Sequence, residues 1–397
     1  MQRVIRYLKS HGRALYIGAG CLTALAALLL YRLGSLTTNL SPDESKQQLF
    51  SSSWRHLTDN PLNLPYTAVQ WVMLHLFSHH GVTVTRLTSV LFGALALVAF
   101  AYIVRRWYGV RAAVFGVTLF ATSSWFLHVS RFAGVDVLYL WALPTLLAVQ
   151  IAWERHAKLS WISWAAVATL GLLLYVPGMI WLVILSIGLH PGQLLRSWQH
   201  TRRWWQWLVL VVVAALFLAP LLLAFTRHPS LVQTWAGLPA HFAAPGHIVR
   251  QLVHSVSFLA YRGPIDPQRW LDRLPILDIF ALVMLVLGVF FYARHAWAPR
   301  TRQLVGLGLV SAAFFAIGGP VSLSLVVPLA YLIVTAGIGF LLHEWLHVFP
   351  KNVLARSVGY TILGLVVGAA CIYNLRSYFV AWPHSPSTMA AYRIRHE

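Results

Sequence analysis

The chain alternates between long apolar runs and short polar connections. The apolar runs lie near residues 14–32, 85–104, 111–128, 136–153, 160–174, 177–190, 205–226, 278–293, 303–317, 321–341 and 357–374. As a helix, each run can cross or nearly cross about 30 Å of lipid hydrocarbon. The pattern predicts an all-α fold, a polytopic transmembrane helical bundle of about eleven spans with amphipathic surface helices in its outer loops.

The run over residues 160–190 has two interpretations, one kinked helix or two spans, because Pro177 and Gly178 interrupt it. Basic residues distinguish them, since the short cytoplasmic connections of membrane proteins are rich in Lys and Arg. With two spans and a cytoplasmic N-terminus, every short basic connection lies inside. These connections contain Arg105, Arg106, Arg111, Arg155, Lys158, Arg196, Arg202, Arg203, Arg294, Arg300, Arg302, Lys351 and Arg356. We therefore predict two spans.

This topology leaves three outer segments, residues 33–84, 227–277 and 375–397, on a single membrane domain covering residues 1–397. The apolar run from Ala14 to Tyr31 fits an uncleaved first helix better than a signal peptide. It is long enough to span, and no small-residue cleavage pattern follows it. We expect a multi-pass protein of the plasma (inner) membrane, with a cytoplasmic N-terminus and an extracytoplasmic site.

Composition restricts the possible functions. Of the 397 residues, 58% are hydrophobic and only 10% are charged, whereas soluble domains carry about 25% charged residues. The net charge of +20 comes from small basic clusters between apolar runs. It therefore indicates membrane topology and attraction to anionic lipids, and we expect no nucleic-acid partner. Cys21 and Cys371 lie within apolar runs and predict neither a disulfide framework nor a zinc site.

The acidic residues gather on the predicted outer face. Glu154 and Glu344 lie inside, whereas the outer acids are Asp43, Glu44, Asp59, Asp136, Asp266, Asp272 and Asp278. Carboxylates contribute little to membrane topology, so topology does not explain this asymmetry. It suggests that the outer face uses carboxylates for binding or chemistry.

The first outer segment contains Ser41-Pro42-Asp43-Glu44. Ser41 suits a helix N-cap and Glu44 suits a capping box, while the same acids could serve a reaction. In the second outer turn, Asp136 either caps the next helix or pairs with Arg131 to form a phosphate site. Both alternatives remain open for each motif.

The third candidate is the outer segment 227–277, which is rich in cations and histidines. Its cations either cover solvated amphipathic helices or hold a lipid phosphate. The histidine spacing fits no zinc pattern.

An ordered set of motifs carries a family resemblance. The acidic pair Asp43-Glu44 is followed by Pro61–Tyr66, His80–Val82, Arg86–Gly93, Arg105–Gly109 and Ser130–Asp136. This order resembles the C-type (GT-C) membrane glycosyltransferases. Within them it is most similar to the protein O-mannosyltransferase (family 39) group and the lipid A aminoarabinose transferases. The similarity is clearest over residues 30–150.

The resemblance implies a cell-envelope glycosyltransferase. Its donor would be a sugar on a polyprenyl phosphate among the membrane lipids, and its acceptor a protein hydroxyl or an envelope glycan or lipid. The catalytic acids would be Asp43 as general base, the adjacent Glu44, and Asp136. A cation should hold the leaving phosphate, and the candidates are Arg131, Arg227, Arg250, Arg262 and Arg376.

No cofactor is certain from the sequence. Some C-type relatives use a divalent cation, and Asp43, Glu44 and Asp136 would be the ligands for Mg²⁺ or Mn²⁺ if one binds. Two other classes stay open, a transporter of amphiphilic lipids or glycolipids and a non-catalytic membrane scaffold. A transporter would be expected to place ionisable groups deep within its spans.

Overall fold

The structure is a computed structural model. It describes residues 20, 23–37, 39–77, 81–155, 161–190, 192, 204–242 and 244–393. The first part of the first predicted span, the predicted cytoplasmic residues Lys158, Arg196, Arg202 and Arg203, and the end of the tail lie outside these residues.

The described chain is helical, and no β-strand occurs in the ranges just given. After a helical stretch over residues 23–30, the helices are α1 (Pro42–Ser52), α2 (Trp54–Asp59), α3 (Leu64–Leu76), α4 (Val82–Thr122), α5 (Ser124–Arg131), α6 (Asp136–Arg155), α7 (Trp161–Leu173), α8 (Met179–Leu189), α9 (Trp204–Arg227), α10 (Ser230–Trp235), α11 (Pro245–Ala260), α12 (Ile279–Arg294), α13 (Pro299–Ile317), α14 (Val326–Val348), α15 (Val353–Arg376) and α16 (Pro386–Ala391). The predicted all-α class is confirmed.

Long apolar helices make this a multi-pass membrane protein. By length and composition, the segments that could cross a bilayer are Val82–Thr122, Asp136–Glu154, Trp207–Arg227, Leu323–Val348 and Val353–Ala381. Shorter apolar helices cover Ser163–Leu173, Met179–Leu189 and Ile279–Arg294. Short helices of this kind fit a bilayer when they pack against longer neighbours.

Helix α4 folds back on itself at Gly109, where φ is +81°. The rings of Phe100 and Phe120 lie 4.4 Å apart, although twenty residues of straight helix would separate them by about 30 Å. The element therefore contains two antiparallel stretches, as predicted for residues 85–104 and 111–128. The second stretch ends at Thr122 rather than at 128, because Ser123 leaves the helical conformation and caps α5.

Helices α7 and α8 are separate helices that reverse direction, as the two-span interpretation predicts. At their turn, the Asn63 N–H donates to the Tyr175 carbonyl at 2.8 Å, and the Gly178 N–H donates to the Trp235 carbonyl at 2.8 Å. At the opposite end, His190 Nδ1 lies 2.7 Å from Gln150 Nε2 near the end of α6. The hairpin turn therefore contacts the predicted outer segments, and the hairpin returns to the other end of the bundle.

The bundle interior brings backbones into direct contact where α12 crosses α14. A Cβ on Gly337 would lie 2.0 Å from the Met284 carbonyl oxygen, and one on Gly288 would lie 2.0 Å from the Ile333 carbonyl oxygen. Such glycine contacts are typical of membrane helices, where close packing rather than water exclusion drives association.

The first outer segment is fixed by the predicted capping box. Ser41 Oγ accepts from the Glu44 N–H at 3.2 Å, and Glu44 Oε2 accepts from the Ser41 N–H at 3.0 Å. Pro42 occupies the first turn, where its missing N–H leaves no donor unsatisfied. This local chemistry sets the direction in which α1 starts and buries the Glu44 side chain.

The buried Glu44 carboxylate also binds two distant segments. Arg86 in α4 donates from Nε to Oε1 at 2.7 Å and from Nη2 to Oε2 at 2.8 Å. The Ala133 N–H, in the turn before α6, donates to Oε1 at 3.0 Å. The two side chains are only 0% (Glu44) and 5% (Arg86) exposed, so α1, α4 and the turn before α6 meet at one carboxylate.

We predict that Glu44→Gln destabilises the fold by about 3–5 kcal/mol, because it leaves the buried Arg86 guanidinium without its counter-ion. The thermal unfolding midpoint of the detergent-solubilised protein measures the effect. Asp59→Asn is the matched control, since it removes an exposed acid from the same outer segment and should change stability by less than about 0.5 kcal/mol. Equal unfolding midpoints for the two variants would contradict the stabilising role of the buried Glu44–Arg86 pair.

Candidate active site

A single guanidinium joins three carboxylates at the same end of the bundle as Glu44. Arg269, in the loop before α12, donates from Nη2 to Asp43 Oδ2 at 3.1 Å and from Nη1 to Asp136 Oδ2. Its Nε lies 3.6 Å from Asp266 Oδ2. The guanidinium also packs over the Phe132 ring, with 4.7 Å between Cζ and the ring centroid. Residues from the outer segments 33–84 and 227–277 and from the start of α6 thus form one charged cluster.

Arg269 is held in place by its buried neighbour. Trp270 is 3% exposed, its ring packs 5.0 Å from that of Trp125, and its Nε1–H donates to the Leu274 carbonyl at 2.7 Å. The loop closes tightly at Gly263, where a Cβ would lie 1.9 Å from the same carbonyl oxygen. The apolar anchor and the glycine together fix the loop from which the guanidinium projects.

The cluster is accessible at its acidic side. The Asp43 side chain is 43% exposed and that of Asp136 is 23% exposed. The Asp43 N–H faces Gln268 Oε1 at 3.4 Å, which ties α1 to the same loop. A substrate hydroxyl can therefore approach Asp43 without unfolding the segment.

The environment of Asp266 differs from that of a free carboxylate. Burial raises the pKa of Asp266, and the attraction of Arg269 and the hydrogen bond from the Gln268 N–H offset only part of that rise. The negative charges of Asp43 and Asp136 raise it further. Asp266 therefore holds its proton to a higher pH than an aspartate in water.

An apolar cavity of about 520 Å³ opens beside this loop, between α12 and α15. Trp270 lines it, and its polar wall includes Asp278 and Asn374. Asp278 caps α12 by accepting from the Ala281 N–H at 2.9 Å, and it accepts from Asn374 Nδ2 at 2.8 Å. Asp278 is therefore satisfied within the protein, and most of the remaining lining is apolar.

Arg131 does not reach the carboxylates. Its Nη1 faces the Leu28 carbonyl at 3.4 Å and its Nη2 donates to the Tyr31 carbonyl. Its guanidinium packs over the rings of Tyr378 and Phe379, at 5.1 and 4.8 Å from the ring centroids. The expectation of a cation beside Asp136 is met by Arg269 instead, because Arg131 points back toward the first helical stretch.

The other four predicted phosphate-binding cations lie apart from the cluster. All four side chains are exposed, and in the described chain none forms an ion pair with Asp43 or Asp136. They are Arg227 at the end of α9, Arg250 in α11, Arg262 after α11 and Arg376 at the end of α15. Their phosphate-binding role stays a prediction.

The predicted metal ligands do not form a metal site. Both Glu44 oxygens accept hydrogen bonds from protein groups, and Arg269 occupies the space between Asp43 and Asp136. Among the residues that the structure describes, no group of three or more His, Cys, Asp or Glu side chains is arranged to hold an ion. The residues present therefore do not fit a divalent cation in this arrangement.

Arg269 lies in the predicted outer segment 227–277 but was not selected from the sequence as a site residue. Two local signals favour it in retrospect. Asp266 precedes it by three residues, a spacing at which side chains meet across a turn, and the buried Trp270 follows it. A charged residue next to a buried aromatic is held more firmly than one on an exposed helix such as α11.

Comparison with protein-family models supports the resemblance. Residues 59–223 match the model of the dolichyl-phosphate-mannose-protein mannosyltransferase family. No curated protein matches the chain closely enough to count as a relative.

Similar solved structures also support the predicted resemblance at the level of the fold. ArnT from Cupriavidus metallidurans bound to undecaprenyl phosphate superposes with a TM-score of 0.55 at 16% identity, over 96% of this chain and 77% of ArnT. The apo state of ArnT gives 0.52, again at 16% identity, over 97% and 77%. An oligosaccharyltransferase from Archaeoglobus fulgidus, tethered to an acceptor peptide, gives 0.51 at 15% identity, over 93% of this chain and 55% of that enzyme.

The family model and the fold agree with each other and with the motifs in the sequence. The predicted resemblance is confirmed: this chain has the membrane glycosyltransferase fold of the C-type enzymes, and its family match indicates a glycosyltransferase.

Proposed function

We propose that this protein transfers a sugar from a polyprenyl-phosphate donor to an acceptor hydroxyl on the non-cytoplasmic face of the plasma membrane. The bridge that Arg269 forms between Asp43 and Asp136 carries the proposal. A general base and a cation for a leaving phosphate are the two groups that such a transfer needs. Both stand within a single ion-pair cluster here.

Asp43 is the proposed base. Its side chain is 43% exposed, whereas the adjacent Glu44 is fully buried and bound to Arg86. The Asp43 carboxylate takes the proton of the acceptor hydroxyl as the acceptor oxygen bonds to the anomeric carbon. The bond between that carbon and the phosphate oxygen breaks, and its electron pair leaves with the polyprenyl phosphate. Attack from the side opposite the phosphate inverts the anomeric centre.

Arg269 is the proposed phosphate-binding residue. Its guanidinium is planar and always charged, and it can donate two parallel hydrogen bonds to phosphate oxygens. A donor phosphate would compete with Asp43 for Nη2, so donor binding would also release the base. Asp136 contacts the other terminal nitrogen, Nη1, and would keep the guanidinium oriented meanwhile.

The apolar cavity beside Trp270 is the proposed place for the first part of the polyprenyl chain. It lies next to the Arg269 loop, its lining is mainly apolar, and exposed residues such as Ile279 and Val283 border it. ArnT, which shares the fold, has been seen bound to undecaprenyl phosphate. The proposal is more specific for the donor, a polyprenyl-phosphate sugar. For the acceptor it names only a protein hydroxyl or an envelope glycan or lipid.

We predict that Asp43→Asn and Asp136→Asn each reduce sugar transfer at least about 100-fold. The first variant removes the base, and the second removes the carboxylate that orients Arg269. The assay follows radiolabelled sugar from a panel of polyprenyl-phosphate sugars into envelope acceptors, using protein in nanodiscs. Asp59→Asn, an exposed acid of the same outer segment, should keep wild-type activity. Full activity in both Asp43→Asn and Asp136→Asn would contradict the proposed mechanism of sugar transfer.

Binding of the lipid phosphate can be measured without knowing the sugar. We predict that Arg269→Gln weakens binding of undecaprenyl phosphate at least about tenfold, since it removes the charge-assisted hydrogen bonds to the phosphate. Arg273→Gln, at an exposed position of the same loop, should bind as the wild type does. Equal affinities for these two variants would show that another cation holds the phosphate.

A further inference from the structure

A second cavity, separate from the Arg269 cluster, lies between the start of the first outer segment and the tail. Its volume is about 560 Å³. We call it the tail cavity and define it by its polar lining, Arg32, Thr37, Asn39, His384, Thr388 and Arg393. No residue of the Asp43–Arg269–Asp136 cluster lines it, and the proposed function does not use it.

The tail cavity is cationic. Arg32 and Arg393 line it together with His384, and no carboxylate appears among its lining residues. Across the described residues, neither arginine lies within ion-pair distance of an acid. Both arginines are exposed, and an anion bound in the space that they line would be attracted to both guanidinium groups.

A buried hydroxyl in the tail cavity also has no protein partner. Thr388 is 1% exposed, and within the described structure its Oγ1 forms no hydrogen bond. A buried hydroxyl without a partner destabilises a fold by about 1–3 kcal/mol. Thr388 lines the cavity, and rotation of its side chain would let a ligand oxygen there supply the missing hydrogen bond.

The remaining walls suit an amphiphile rather than a free sugar. Leu36, Phe379 and Met389 supply apolar surface. Arg32 lies two residues after the helical stretch at residues 23–30, which belongs to the first predicted span. If that span crosses the membrane as predicted, the cavity lies at its end, where phosphate head groups are found.

The tail cavity is tied to the acidic cluster through the protein. Tyr392 lines the cavity and its hydroxyl donates to the Gln268 carbonyl at 2.8 Å, next to Arg269. Thr37, which also lines the cavity, accepts at Oγ1 from Arg86 Nη2 at 2.9 Å, and Arg86 pairs with Glu44. A bound ligand would thus stabilise both the Arg269 loop, through Tyr392, and the Arg86–Glu44 pair, through Thr37.

We propose that the tail cavity is a second anion site, in which the arginines bind the phosphodiester of an anionic lipid and the apolar walls contact the adjoining hydrocarbon of that lipid. Such binding would stabilise the folded protein by an amount that grows with the logarithm of ligand concentration above Kd. The proposal is independent of sugar transfer, because it concerns residues outside the proposed catalytic cluster.

The test uses the full chain in nanodiscs of phosphatidylcholine, with and without phosphatidylglycerol. Native mass spectrometry counts retained lipids, and thermal unfolding reports stabilisation. We expect phosphatidylglycerol to be retained by the wild type, and its apparent affinity to fall at least about tenfold in Arg32→Gln/Arg393→Gln. Arg55→Gln is the matched control, since Arg55 is an exposed outer cation away from the cavity and its variant should bind as the wild type does.

Thr388→Val tests the hydroxyl with almost no change in shape. It should lower phosphatidylglycerol affinity several-fold without lowering the unfolding midpoint in pure phosphatidylcholine nanodiscs, because it removes a hydroxyl that has no partner in the described structure. A second arm adds millimolar inorganic phosphate to phosphatidylcholine nanodiscs. Stabilisation by phosphate alone, lost in the double arginine variant, would support the anion site with a soluble occupant. The proposal is overturned if the double arginine variant and the wild type respond equally to both probes.

Discussion

The carboxylate of Glu44 accepts hydrogen bonds from three parts of the chain, and the rest of the site depends on this one buried group. It closes the capping box of α1, pairs with Arg86 in α4 and holds the Ala133 N–H before α6. A buried charge is tolerated only when its partners satisfy it. Because these partners come from α1, α4 and the α6 turn, satisfying Glu44 sets the separation of Asp43 and Asp136, which lie beside it.

Two adjacent acids therefore take different roles. Successive residues of a helix point about 100° apart, so the turn that buries Glu44 directs Asp43 toward the opening. There Asp43 meets Arg269 from a segment more than two hundred residues later. In our account the buried Glu44 positions the surrounding segments, and the exposed Asp43 acts as the base. In our account, the Asp43–Arg269–Asp136 cluster is a resting state in which one cation pairs with both carboxylates until a phosphate competes for it.

Much of the fold could be predicted from the sequence, because hydrophobic length and the basic connections respond to the bilayer itself. The hairpin of α7 and α8 is predicted from the interruption at Pro177 and Gly178 together with the basic connections, and the Ser41–Glu44 capping box from local spacing. The choice of cation could not be predicted. The sequence favours Arg131, which lies five residues before Asp136, and only packing shows that Arg131 turns toward the Leu28 and Tyr31 carbonyls. Likewise, the sequence could not show which member of the Asp43-Glu44 pair is buried, since a cap is compatible with either role.

The most direct test of this account is an experimental structure of the protein with undecaprenyl phosphate bound in nanodiscs. The decisive measurement is the position of the phosphate relative to Arg269 and Asp43. Our account predicts phosphate oxygens within hydrogen-bond distance of the Arg269 guanidinium, with the Asp43 carboxylate released and facing the same space. A phosphate bound elsewhere, with Arg269 still joining Asp43 to Asp136, would contradict it.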